Sequence, residues 1–193
     1  MAVVYRAKRP FDGLGTEASE HRAVVVEHDR IVMSLMLVEF PLRWNSWTMG
    51  DVTLLPGLVD AHVHLVWDGQ NPNPGGLRIK EGVPKSTLRA ARHASDTLHS
   101  GVTTVRDLGC PDGISFALRN AIETGIADGP RIVAAGNAIT MTGGHGCSFG
   151  VEADGSDAVR CAARSELHRG ADSSSSSQPV ACTGWVRTPA RSS

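Results

Sequence analysis

Residues 56–65 read PGLVDAHVHL. A Pro-Gly pair opens the run, apolar and β-branched side chains fill it, and the turn-forming DGQNPNPGG of residues 68–76 closes it. The pattern predicts a buried strand that ends in a loop. Side chains two apart share one face of a strand, so Asp60, His62 and His64 point one way while Ala61, Val63 and Leu65 point the other.

Working downstream, KSTLRAARHASDTLHS (residues 85–100) places Leu88, Ala91 and Leu98 at helical spacing, and Gly101 is a natural stop. VTTVRDL then reads as a strand, ISFALRNAIETG as a helix ending at Gly125, PRIVAAGNAI as a strand, and residues 154–170 as a further helix. Strands alternating with helices of this length predict right-handed βαβ units and a parallel sheet, open or closed into a barrel. The class is α/β. Upstream, VVY and AVVVEHDRIV flank the turn-rich FDGLGTEASE and predict a small antiparallel, β-rich unit over residues 1–55. Residues 33–49 break that texture, with two of the four tryptophans and no usable periodicity.

In a parallel barrel the strand at residues 56–65 would turn its apolar set toward the outer helices and its histidines into the lumen, near the C-terminal mouth where barrel sites lie. Neutral imidazole is the commonest metal ligand, so His62 and His64 make half a site for zinc or a similar divalent ion. A bare HxH also fits two satisfied polar residues on a half-exposed edge strand. Two unmatched imidazoles buried in so apolar a strand would cost free energy, which favours coordination. The GGHG of residues 143–146 follows the third strand at the same mouth. Its glycines allow close backbone approach, and His145 is the candidate for binding a substrate carbonyl or carboxylate; a surface turn is the alternative. Asp107, ending the second strand, is read as a cap or turn residue or as one that orients a neighbour.

Composition narrows the rest. The 193 residues are 41% hydrophobic and 20% charged, with a formal charge of -1. Nothing in that balance supplies a basic surface for nucleic acid. The longest apolar run falls well short of the roughly 20 residues a membrane helix needs, and no cleavable leader follows the N-terminus, so the expectation is a cytoplasmic protein with a small-molecule or dipeptide substrate. Cys110, Cys147, Cys161 and Cys182 lie far apart without a C-x-x-C pair and are expected to be buried or incidental thiols. No G-x-G-x-x-G supports a small nucleotide-binding α/β domain.

LLPGLVDAHVHL, GVTTVRDLG, GPRIVAAGNAITMTGGHG and the helix ending LHRGAD, taken in that order, resemble the amidohydrolase superfamily in its imidazolonepropionase-like and prolidase-like peptidase branch. The resemblance implies a (β/α)8 barrel over residues 56–172 that stops after about three βα units, and metal-dependent hydrolysis of a C-N bond in a peptide or cyclic amide. It implies that His62 and His64 bind the more buried metal of a one- or two-metal site. A carboxylated lysine on the fourth strand, histidines on the fifth and sixth, and an aspartate on the eighth would complete it. None of those later groups can be assigned here, so the catalytic residues are unknown. The ion would polarise the scissile carbonyl and lower the pKa of water.

After residue 172 the sequence departs from that pattern into SSSSSQPVACTGWVRTPARSS, an aberrant tail expected to be disordered. Read one base out of frame, with suitable codons, the tail gives IKFIATGGVHRVGEDPGEVQ, which resembles the family's lysine-bearing fourth strand. Residues 33–48 behave alike: the displaced frame reads DVADAGGVSVAVELVD, and the glutamate over Trp44-Asn45 and the aspartate over Trp47-Thr48 involve no codon choice. Both segments are therefore expected to be out-of-frame translation. The resulting expectation is an incomplete, inactive hydrolase, or a non-catalytic product that binds metal weakly at most.

Overall fold

The computed structural model describes residues 2–18, 22–28, 30–36, 45–71, 73–147 and 149–175. The chain divides into two compact units, Met1–Gly57 and Leu58–Ser193. The predicted tail falls outside the described residues from 176 onward, as do residues 37–44 of the earlier suspect stretch.

In the first unit the strands are β1 (Ala2–Arg6), β2 (Arg9–Pro10), β3 (Arg22–Glu27), β4 (Arg30–Met36), β5 (Asn45–Thr48) and β6 (Thr53–Leu54). The main sheet runs β4-β3-β1-β5, with β2 and β6 forming a separate parallel pair. β1 to β3 and β3 to β4 are antiparallel, as the short β-prone runs separated by a turn-rich stretch predict, while β5 joins β1 in parallel. The β3–β4 hairpin turns at His28, whose φ of 58° is one that tight hairpin turns require. Val4, Ala23 and Val25 bury one face. On the other, Tyr5, Val24, Val26 and Ile31 line an apolar cavity of about 560 Å³ with Met49 and Leu54. Residues 33–49, which show no periodicity, nevertheless supply the end of β4 and all of β5. All four residues of β5 are exposed, and a strand with neither face buried needs no alternation.

The second unit holds the parallel sheet. β7 (Leu58–Val63), β8 (Val102–Asp107) and β9 (Arg131–Ala134) lie in that order, all parallel. Between them run α1 (Pro74–His99) and α2 (Ile114–Glu123); after β9 come β10 (Ile139–Thr140), β11 (Val151–Glu152) and α3 (Gly155–His168). The core joins Val105 and Ile132 of the sheet to Ala90 and Ala94 of α1 and Leu118 of α2, with Trp67 beside them. α1 is longer than its periodicity predicts. Asn73 caps it by accepting the Gly76 N–H at 2.9 Å and Pro74 occupies its first turn, so part of the expected loop is helical up to a break at Gly82, where φ is 73°. Two expectations need correction. The strand ends at Val63, leaving Leu65, Val66 and Trp67 buried in the turn that follows. And β7 is not buried: it is exposed from Leu58 through His62, and among the described residues it is an edge strand paired with β8 alone. Beyond α3, the chain meets the end of β9: the Asp172 N–H donates to the Ala134 carbonyl, and its carboxylate accepts from the Ala134 N–H and from Arg119.

Candidate functional site

The C-terminal ends of β7, β8 and β9 converge on one buried residue. Asp107 closes β8 and is fully buried; its carboxylate accepts the Leu65 N–H and the Gly109 N–H, each at 3.2 Å. Its main chain pairs with Val63 and Ala134, and its carbonyl accepts the Ala135 N–H at 2.9 Å. Burial pushes its pKa up to about 6, against the two backbone N–H groups that favour the charged form. The cap reading of Asp107 is therefore what the geometry displays, and D-L-G was its signal: an aspartate whose side chain binds its own backbone two residues on.

His62 and His64 stand on the same side, their ring centroids 5.4 Å apart and their planes 72° to one another. The convergence expected from strand parity is present, although His62 is exposed and His64 half-buried. His64 Nδ1 lies 3.0 Å from the Gly109 carbonyl oxygen, which accepts only. Nδ1 therefore carries the proton and donates, and Nε2 keeps the lone pair. Desolvation lowers the His64 pKa; the Gly109 carbonyl opposes it, and the charges of His62 and His145 add to it. A neutral imidazole with Nε2 available is the form that ligates a metal. Phe149 covers the ring edge to face at 6.0 Å. Glycine at 109 lets the two rings approach closely, since a Cβ there would sit 3.2 Å from His64 Cε1 and 3.3 Å from Phe149 Cε2 and would press on both.

His145, on the loop between β10 and β11, lies within electrostatic reach of His64. That loop is pinned at its base: the Gly143 N–H donates to the Glu152 carboxylate at 2.7 Å, and Thr142 donates through its N–H and its hydroxyl to Asp154. Those two bonds hold the exposed Asp154 carboxyl below its usual range, the hydroxyl first. Farther back, buried Glu166 of α3 accepts from the Asn137 N–H and side-chain amide, fixing the turn that leads into β10. Cys147, two residues after His145, is disulfide-bonded, which corrects its reading as a buried or incidental thiol, whereas Cys110 is a free, buried thiol and Cys161 a free, exposed one. Spacing in a sequence does not show which distant thiols meet. One histidine was missed altogether: His93 of α1 binds the Leu65 carbonyl through Nδ1 at 2.8 Å and lines an open cavity of about 520 Å³ with Asp60, His64 and Trp67. Its signal was only its place on the inner face of an amphipathic helix.

Residues 53–185 match the profile of the amidohydrolase family. The chain belongs to that family. Among relatives, this amidohydrolase is 29% identical to ochratoxinase of Aspergillus niger over 155 residues, which cover 67% of the chain and 32% of the relative. It is 34% identical to the imidazolonepropionase of Paraburkholderia phymatum over 87 residues, covering 38% of the chain and 21% of the relative. In three dimensions it resembles a prolidase complexed with N-methylphosphonate-L-proline, with a TM-score of 0.80 and 28% identity over 91% of this chain and 46% of the other. The amidohydrolase chain thus spans about a third of ochratoxinase and under half of that prolidase. Its mixed α/β architecture is shared with those structures.

A divalent ion fits the two imidazoles as far as they go, with adjacent rings and an Nε2 lone pair on His64. Among the described residues no group of three or more His, Cys, Asp or Glu side chains is placed to hold an ion. Nor is any described helix long and apolar enough to cross a membrane.

Proposed function

We propose that His62 and His64 are two ligands of a divalent metal centre, zinc by its nitrogen donors, in a hydrolase that cleaves a C-N bond of a dipeptide or cyclic amide. The observation that carries this reading is the pair of imidazoles 5.4 Å apart, one of them neutral with Nε2 free of the Gly109 hydrogen bond. The bound ion would supply Lewis acidity toward a carbonyl and a lowered pKa for water. The residues themselves do the rest: Gly109 orients His64, Phe149 shields it from solvent, and His145 binds the carbonyl or carboxylate of the substrate. Support for the substrate class comes from relatives that are a prolidase and an imidazolonepropionase.

Among the described residues two ligands are fewer than the three protein ligands that catalytic zinc sites keep, so in this reading the polypeptide by itself is expected to hydrolyse little or nothing. In the same reading, residues 33–48 and 173–193 are displaced-frame translation, and the barrel would close only beyond the three strands described. A non-catalytic product is the second reading, favoured by the exposed edge position of β7. The encoding DNA and one protein separate them. If both frames are restored, the first reading expects about one zinc or more per chain and dipeptidase activity, each lost in His62→Ala and His64→Ala. A restored chain without metal or activity, or DNA in which neither displaced frame encodes the strings above, removes it.

A further inference from the structure

We infer that Asp107 is the positioning residue for His64, acting through the peptide of Gly109. The chain of contacts is short and closed. The Asp107 carboxylate holds the Gly109 N–H at 3.2 Å, the Gly109 carbonyl takes the proton of His64 Nδ1 at 3.0 Å, and the second carboxylate oxygen holds the N–H of Leu65, the next residue along from His64, at 3.2 Å. One side chain thereby fixes the imidazole from its acceptor and from its own backbone. The flanking peptides are tied as well: the Leu108 N–H donates to Val63 at 3.1 Å and the Cys110 N–H to Gly136 at 2.8 Å, so Gly109 cannot turn its carbonyl away without breaking a neighbour.

A carboxylate suits this task because it accepts in two divergent directions and donates in neither. Asparagine has the same shape but would present an N–H to one of the two backbone N–H groups, so Asp107→Asn breaks one arm with no change of volume. The outcome for His64 is a defined tautomer, with Nε2 kept as the lone-pair nitrogen; its consequence for metal affinity rests on the ligand role proposed above.

The test is side-chain ¹⁵N spectroscopy on the full chain labelled at histidine, with titration by zinc alone as a second readout. The wild-type chain is expected to show His64 as the Nδ1–H tautomer. Asp107→Asn is expected to yield a mixture of tautomers and zinc binding at least tenfold weaker, the usual scale for losing an outer partner of a metal-ligating histidine. Gly109→Ala tests the last link while leaving Asp107 intact, because its Cβ would press on the His64 ring. It too is expected to disturb the tautomer, and it decides the matter should Asp107→Asn fail to fold. A folded Asp107→Asn chain that keeps the tautomer and binds zinc within twofold of wild type, or a Gly109→Ala chain with an undisturbed tautomer, overturns the inference. A wild-type chain that shows the tautomer but takes up no zinc leaves the positioning role standing and removes the metal reading instead.

Discussion

β7 and β8 are neighbouring parallel strands of six residues each, and both are rich in valine, yet they live in different surroundings. Val105 and Asp107 of β8 are 0% exposed, whereas Leu58 and Val59 of β7 are 54% and 69% exposed. Among the described residues β8 has a strand on either edge and α1 packed over it, while β7 has one strand beside it. The contrast separates two things that an apolar strand sequence conflates. Composition states that a strand would gain by being covered, and only the elements beside it decide whether it is. His62 lies on the less covered strand and His64 just past its end, and the aspartate inferred to position His64 closes the more covered one.

The largest break in that contrast should come from the two aspartates. Asp107→Ala leaves the Leu65 and Gly109 N–H groups without their acceptor and is expected to cost about 4 kcal/mol of stability in denaturant unfolding. Asp60→Ala on β7, exposed, should cost within about 0.5 kcal/mol. Equal costs would mean that the clip at the strand ends carries no weight.

Next in size is the response to pH. The folded pKa of Asp107 is raised to about 6 by burial, so the native state holds its proton more tightly than the unfolded chain does. That contribution is complete below about pH 4 and is lost as the pH rises through 6, by about 3 kcal/mol at most. His64 works the other way, since its lowered pKa means that the unfolded chain takes up the proton first as the pH falls below 6.5. Stability profiles of wild type and Asp107→Asn between pH 4 and 7 are expected to differ in slope, the variant losing the acid-side gain. Parallel profiles would show that the buried carboxyl is ionised throughout.

A smaller effect sharpens the same comparison. Val105→Ala removes buried methyl groups and should cost about 2 kcal/mol. Val59→Ala, one strand away, is expected to cost within about 0.5 kcal/mol. Similar losses at both positions would indicate that β7 is covered in solution by something the single chain does not provide.

Legibility followed the range of the forces involved. α2 and α3 match the sequence pattern closely, because each is a local period followed by a glycine in the left-handed region, Gly125 and Gly170, and β8 is a local run bounded by Gly101 and Gly109. The start of α1 was hidden because the loop-forming string at residues 68–76 also contains an asparagine cap and a proline suited to a first helical turn. β5 was hidden because an exposed strand carries no alternation. Of the site, the nearness of His62 and His64 agrees with the parity read from the sequence, although His64 stands just past the end of β7. The roles of His93, Gly109 and Phe149 were not, since each depends on a contact across many residues of chain.

The sequence by itself determined the alternation of strands and helices, the common side of two imidazoles, and membership of a hydrolase family, because periodicity and short motifs are properties of neighbouring residues. Tertiary structure alone decided which strand lies at the edge, which nitrogen of His64 keeps its lone pair, and that Asp107 and Gly109 set it. Burial and hydrogen-bond direction exist only once distant segments meet.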